Sequence, residues 1–254
     1  MMKRWSLLVA VFCVGCGSVR AVADGADAVA VSRAAAKFYM TIETGTPGQA
    51  DYRFIYTDRA GHVHIYAMKD GALNLAWEAT TLGSRATSMF VTDLYADGKL
   101  KLVVSTVAGR VLIYDLATYQ QEWENLQQRY TRIDYMEHAN LDNDRQQEVV
   151  ILADDRVSIF DGYNRNVQWS STTPMVAKFM VIGNVDDDPQ LEIILNTGRI
   201  IDSRFYNIQF ETDQPFGDRL MLADVTGDGY ADVIGEFPDR TVRVFDVWRG
   251  REVW

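Results

Sequence analysis

Cysteine is almost missing from this chain of 254 residues. The two present, Cys13 and Cys16, both lie near the start. A chain cut after Ala23 has no thiol, so a disulfide framework, a zinc-thiolate site and a cysteine nucleophile are all excluded from the folded part. Proline is scarce, at five residues. Positive charge is also in short supply, with 25 Lys and Arg against 35 Asp and Glu. Removing residues 1–23 takes away Lys3, Arg4 and Arg20 and no acid, which leaves 22 basic groups against 35 acidic and a net charge of −13. That balance argues against nucleic acid and anionic membrane surfaces as partners and suits cations. No G-x-S-x-G, H-E-x-x-H or P-loop pattern occurs.

Long apolar runs are missing except at the N-terminus. There Lys3 and Arg4 precede the run Trp5 to Gly15, which is too short to span a bilayer as a mature helix. It reads as an export signal with two open endings. Ala21-Val22-Ala23 before Asp24 fits signal peptidase, giving a signal peptide over 1–23. Gly15-Cys16-Gly17-Ser18 fits a lipobox and would attach the protein to a membrane through a lipidated Cys16. Either ending makes the protein exported: periplasmic, attached to the outer membrane, or secreted. Residues 24–36 are Ala-rich and polar and read as a linker.

Hydrophobic residues make up 48% of the chain, and aromatics are plentiful, with six Trp, twelve Tyr and eleven Phe. A sizeable core and strand-rich structure follow, and wholesale disorder does not. From Lys37 onward, short apolar runs alternate with Gly, Asp and Asn. One unit recurs: strand, acidic loop, strand, tight turn, strand, turn, and a strand closing on an aromatic. Loop starts at 45, 93, 140, 184 and 224 are spaced by 48, 47, 44 and 40 residues, and the closing aromatics are Trp77, Trp123, Trp169, Phe210 and Trp254. The units run over about 37–80, 81–126, 127–171, 172–213 and 214–254. A lone four-stranded sheet buries too little surface, so the units must stack. Radial stacking gives an all-β fold, a five-bladed β-propeller of four-stranded antiparallel blades.

The loops carry the chemistry. In the last, oxygens fall at Asp224, Thr226, Asp228 and Asp232, with Gly229 after the third. Positions 1, 3, 5 and 9 of a short loop, with glycine at 6 for the reversal, suit a hard cation that takes six to eight oxygens. Asn140, Asp142, Asp144 and Glu148 repeat the pattern, as do Asn184, Asp186, Asp188 and Glu192, with Arg145 and Pro189 in place of the glycine. Backbone carbonyls of Gln146, Gln190 and Tyr230 would add a ligand each. The competing reading is an acidic turn held by Asx-type hydrogen bonds without metal. The Asp93 loop departs further: Tyr95 stands at position 3 and Lys101 at position 9, where an ammonium is expected to pair with Asp93 and Asp97 in place of a metal. The first loop, Gly45 to Gln49, has no acid.

Asp224 to Val233, and the strands after each loop, resemble the FG-GAP/VCBS repeats of integrin-like propellers, whose pattern is roughly Asp-x-[Asn/Asp]-x-Asp-Gly-x-x-Asp before an apolar strand. That resemblance implies a propeller with calcium in its loops. It leaves function open, because such repeats occur in adhesins, lectins and other exported proteins. The strand endings Val111-Leu-Ile-Tyr-Asp and Val242-Arg-Val-Phe-Asp, each followed by a Trp, also look like quinoprotein-type blades, from which no chemistry is carried over.

In a four-stranded blade the first and third turns share one face, and the second turn shares the other with the connectors. The metal loops are first turns, so a ligand is expected opposite them. There His62, Arg110 and Arg156 hold equivalent places and form a candidate basic cluster, against the plainer reading of solvated turns. His62 and His64 share a strand face and could bind a transition metal, but two histidines without a third ligand are a weak signal, and the plainer reading is surface histidines. His138 is expected on a first strand. The reading is an exported, non-catalytic β-propeller that binds a protein or glycan, with structural calcium. The alternatives are an envelope assembly scaffold with a lipid anchor, and a five-bladed glycosidase with carboxylates near the channel.

Overall fold

In the computed structural model, residues 35–254 are described, apart from 47, 48, 80, 81, 128 and 143. The expected export signal, its cleavage sites and nearly all of the 24–36 linker lie outside the described residues. The first strand already begins at Ala35. Among the described residues, twenty strands form five four-stranded antiparallel sheets, and in each sheet the strands neighbour one another in chain order. Each sheet is thus the up-and-down meander expected of a propeller blade.

The described residues form two compact units, divided between Ala86 and Thr87. The first holds one sheet: β1 (Ala35–Thr46), β2 (Gln49–Asp58), β3 (Val63–Lys69) and β4 (Ala72–Ala79). Ile55 and Ile65 are cross-strand partners and fully buried. Each stabilises the fold by about 1.5–3 kcal/mol through removal from water.

The second unit holds the other four sheets. The second sheet is β5 (Ala86–Thr92), β6 (Lys101–Thr106), β7 (Val111–Asp115) and β8 (Gln121–Glu124). The third is β9 (Ile133–Ala139), β10 (Glu148–Ala153), β11 (Arg156–Asp161) and β12 (Val167–Ser170). The fourth is β13 (Met180–Gly183), β14 (Glu192–Leu195), β15 (Arg199–Asp202) and β16 (Ile208–Glu211). The fifth is β17 (Arg219–Ala223), β18 (Asp232–Glu236), β19 (Val242–Asp246) and β20 (Arg251–Glu252). His138 lies on β9, a first strand, as expected, with its ring stacked on Phe90 at 4.3 Å.

These sheets pack face to face in series. Phe90, Val103 and Ile113 of the second share one core with Ile133, Met136 and Ile151 of the third. Val150, Val157 and Ile159 on the other face of the third meet Met180, Ile193 and Ile201 of the fourth. Ile194 and Ile200 then meet Leu220 and Val233 of the fifth. Strand alternation therefore matters less than the sequence suggests. Every residue of β6, β7, β10 and β14 is buried, and β10 and β14 have a neighbouring sheet on both sides. The closing strands β8, β12 and β16 stay partly exposed.

Turn chemistry sets the register. Between β10 and β11 the two-residue turn Asp154-Asp155 has φ of 50° and 59° at its two positions, the pattern of a type I′ hairpin. The Asp154 carboxylate also accepts from the N–H groups of Thr131 and Arg132, at 2.9 Å each, and so ties the turn to the preceding connector. At the equivalent turn of the second sheet, Gly109 has φ of 78°, and an added Cβ would lie 1.7 Å from the Tyr130 carbonyl oxygen. Only glycine fits there.

Candidate metal centre

Each acidic loop joins the first strand of its sheet to the second, so its ninth position opens or adjoins a central strand. Burial falls on that residue. Glu148 and Glu192 are almost wholly buried, whereas Asp142 and Asp144 are exposed.

In the loop at 140, Glu148 Oε2 accepts from Leu141 N at 2.6 Å, and Asp142 Oδ1 accepts from Asp144 N at 3.1 Å. Asp144 Oδ1 accepts from Gln146 N at 2.6 Å, and Asn140 Nδ2 donates to the Asp144 carbonyl at 2.6 Å. The loop at 184 repeats the set. Glu192 Oε2 accepts from Val185 N at 2.9 Å, Asp186 Oδ1 from Asp188 N at 3.0 Å, and Asp188 Oδ1 from Gln190 N at 2.8 Å. Asn184 Nδ2 donates to the Asp188 carbonyl, and Gln209 donates to Asp186. In both loops one oxygen from each of the three acids lies within 4.8 Å of the others. Burial, followed by the fields of the neighbouring aspartates, pushes the Glu148 carboxyl up to about 7 and that of Glu192 to about 8. Glu192 Oε1 and Gln190 Oε1 are buried without a hydrogen-bond partner. A buried carboxylate oxygen without a donor is costly, and a cation relieves that cost.

The loop at 224 fits the sequence pattern best but is arranged differently. Asp224 accepts from the N–H groups of Gly227, Asp228 and Gly229 at 2.6, 3.1 and 2.9 Å. Asp232 Oδ2 accepts from Val225 and Thr226 at 2.8 and 2.9 Å. Asp228 accepts from Tyr230 N at 3.1 Å, and its other oxygen lies 2.8 Å from Arg249 Nη1. Arg249 also binds Asp246 at 2.9 Å. Thr226 Oγ1 is buried without a partner. The acids of this loop do not form a close group like the other two.

The loop at 93 carries a correction. Lys101 does not pair with Asp93 and Asp97. Its Nζ binds Asp115 Oδ2 at 2.7 Å and Glu122 Oε1 at 2.8 Å, and sits 5.1 Å from the centre of the Tyr95 ring. The Lys101 hydrogen bond, helped by those of Thr118, holds the Asp115 carboxyl down at about 2. Asp93 instead accepts from Asp97 N and Gly98 N, at 3.1 and 2.9 Å. Strand register explains the difference: Lys101 is the cross-strand partner of Asp115.

That register recurs. Glu148 pairs with Asp161 and Glu192 with Asp202. At one place in the repeat, the second sheet has a lysine against an aspartate, while the third and fourth set a glutamate against an aspartate. The fifth carries Arg249 nearby.

The first and third turns share a face within the second unit, as expected. Arg165, in the third turn of the third sheet, donates to the Tyr95 hydroxyl at 2.9 Å. The opposite face brings second turns to connectors: Tyr130 N donates to Gly109 O at 3.4 Å, and Met175 N to Asp155 O at 2.7 Å. The candidate basic cluster does not present free charge there. Arg110 forms a two-pronged pair with Glu124 at 2.8 and 2.9 Å, and Arg156 donates to the Ser171 and Thr172 carbonyls. His62 is turned toward Asp58.

No protein-family model matches the sequence, and no curated protein does. Solved structures do match. Saccharomyces cerevisiae Sqt1 superposes with a TM-score of 0.61 at 14% identity, over 85% of this chain and 67% of its own. A chain of the BBS1N complex with ARL6DN gives 0.57 at 14%, over 84% and 64%. The V. cholerae biofilm matrix protein Bap1 gives 0.60 at 15%, over 85% and 38%. These likenesses speak to fold alone: an all-β, propeller-like architecture. This chain spans about two thirds or less of the length of each of these chains.

Proposed function

We propose that this chain is an exported, non-catalytic β-propeller of the FG-GAP/VCBS kind. It binds a protein or glycan partner, and calcium in its acidic loops stiffens the blades. The observation that carries the calcium reading is Glu192, a buried carboxylate with one oxygen unpartnered, set against Asp186, Asp188 and Asp202. Asn184, Asp186, Asp188 and Glu192 would hold one ion, and Asn140, Asp142, Asp144 and Glu148 a second. Asp224, Thr226, Asp228 and Asp232 make a weaker third site, because Arg249 already neutralises part of their charge. An oxygen-only donor set of carboxylates and amides matches calcium better than a softer metal.

A binding role draws support from the neighbours' own descriptions: BBS1N was crystallised in complex with ARL6DN, and Bap1 is a biofilm matrix protein. Titrating calcium into the metal-free protein should give two saturable sites, at roughly 10⁻⁴–10⁻³ M as in other extracellular modules, and a third, weaker one. No heat and no gain in melting temperature would remove the calcium claim. A glycan array and capture of partners from envelope extracts test the binding role. Turnover of chromogenic glycosides would contradict it.

A further inference from the structure

The second turn of the first sheet gathers chemistry that the calcium loops do not use. β2 ends at Asp58, and β3 starts at Val63 between His62 and His64. Asp58 Oδ1 accepts from His62 N at 2.9 Å and so holds the turn. Its other oxygen, Oδ2, is left for the imidazoles: His62 Nδ1 lies 3.1 Å away and His64 Nε2 3.2 Å away. One oxygen therefore faces one nitrogen from each ring, and one ligand atom from each of the three residues lies within 4.8 Å of the others.

These spacings suit an ion. A tetrahedral centre with bonds of about 2.0–2.2 Å sets its ligand atoms roughly 3.3–3.6 Å apart, close to the Asp58–imidazole separations present. A fourth group is at hand. Glu78 is the cross-strand partner of His64. Glu78 Oε1 lies 3.9 Å from His62 Nδ1, and Oε2 lies 3.7 Å from His64 Nδ1. The His64 nitrogen turned away from Asp58 thus faces a carboxylate, as in the outer-shell contacts that fix a ligating imidazole. Stacking on Tyr56, with centroids 4.7 Å apart and planes 13° from parallel, holds the ring in place. His64 is mostly buried, while His62 and Glu78 are about one third exposed, so an ion has a way in.

We propose that Asp58, His62 and His64, with Glu78 beside them, bind a divalent transition-metal ion of the zinc and copper class. Two imidazole nitrogens with carboxylate oxygens form a borderline donor set, which favours such ions over calcium. The site is therefore chemically distinct from the acidic loops. The plain alternative is an internal network in which both imidazoles donate to Asp58.

The test is titration of the full chain with zinc, and separately with copper(II), in excess calcium that saturates the acidic loops. The expected result is one saturable equivalent, with nitrogen hyperfine structure from two imidazoles in the copper electron paramagnetic resonance spectrum. His62→Ala and His64→Ala should each leave one such nitrogen and weaken binding at least tenfold. Glu192→Gln should leave binding unchanged. Asp58 also holds the turn, so the histidine variants decide the matter. Absence of saturable binding would overturn the site, as would undiminished binding in the His62→Ala/His64→Ala double variant. Copper signals lacking imidazole nitrogen would do the same.

Discussion

Glu192 faces Asp202 across the β14–β15 ladder, at the register position where the second sheet sets Lys101 against Asp115. One repeat thus holds an ion pair in one sheet and two acids in another. The second sheet carries its compensating cation covalently. The fourth must protonate Glu192 or take up an ion.

That choice sets a pH dependence. The folded-state Glu192 carboxyl is raised to about 8 and that of Glu148 to about 7, both from a usual value near 4.5. Between those limits the folded state binds more protons than the unfolded one, so stability falls as pH rises. Calcium-free protein should melt at a higher temperature at pH 5 than at pH 8.5, and added calcium should narrow the gap. A calorimetric scan with chelator showing the opposite order would contradict the assignment.

Glu192→Gln keeps the shape and removes the charge. Without calcium it should raise the melting temperature at pH 8.5, by roughly 2–4 °C for each kcal/mol of relieved strain. It should also abolish one calcium equivalent by isothermal titration. Retention of both equivalents would show that this loop is not a site.

Lys101→Met leaves Asp115 and Glu122 without their ammonium. Removing one partner of a buried pair typically costs about 3–5 kcal/mol. Urea unfolding should show a lower midpoint with an unchanged slope, and the loss should shrink at low pH as the acids protonate. A shift of a few tenths of a kcal/mol would mean that Lys101 is not the counter-charge.

Arg249→Ala should act on metal more than on stability, because Arg249 is well exposed and its pairs with Asp228 and Asp246 are partly screened. Freed of the guanidinium, the 224–232 loop should bind calcium several-fold more tightly. Unchanged titration curves would show that Arg249 does not compete with the ion.

Gly109→Ala combines a positive φ with a Cβ placed 1.7 Å from the Tyr130 oxygen. The backbone of the following connector would have to move, at a cost above the ~1 kcal/mol of an ordinary Gly to Ala strain. Protease nicking near 126–131 should increase. Native resistance would argue that this approach is loose.

The fold was readable because its signal repeats. Five loops and five closing aromatics recur at nearly constant spacing, and each sheet needs the same four apolar runs. What escaped the sequence was cross-strand pairing. Lys101 was expected to serve its own loop, yet its partners Asp115 and Glu122 lie on β7 and β8, and only the register brings them close. Arg249 lies 21 residues after Asp228, in a different turn, and nothing in the loop pattern points to it. His62 and His64 were visible as a pair, whereas Asp58 and Glu78 join them only through the β2–β3–β4 ladder. Loop position predicts which side chains point inward. It does not predict which oppositely charged group arrives from the next strand.

The serial packing of the second unit has a consequence for failure. Its outer members, the second and fifth sheets, bring their own positive charge in Lys101 and Arg249. Among the described residues, its two inner members show no cation paired with Glu148 or Glu192. With the proposed calcium bound there, its loss would loosen the row from its interior, so the parts most shielded by neighbours would be the ones most answerable to the surrounding medium.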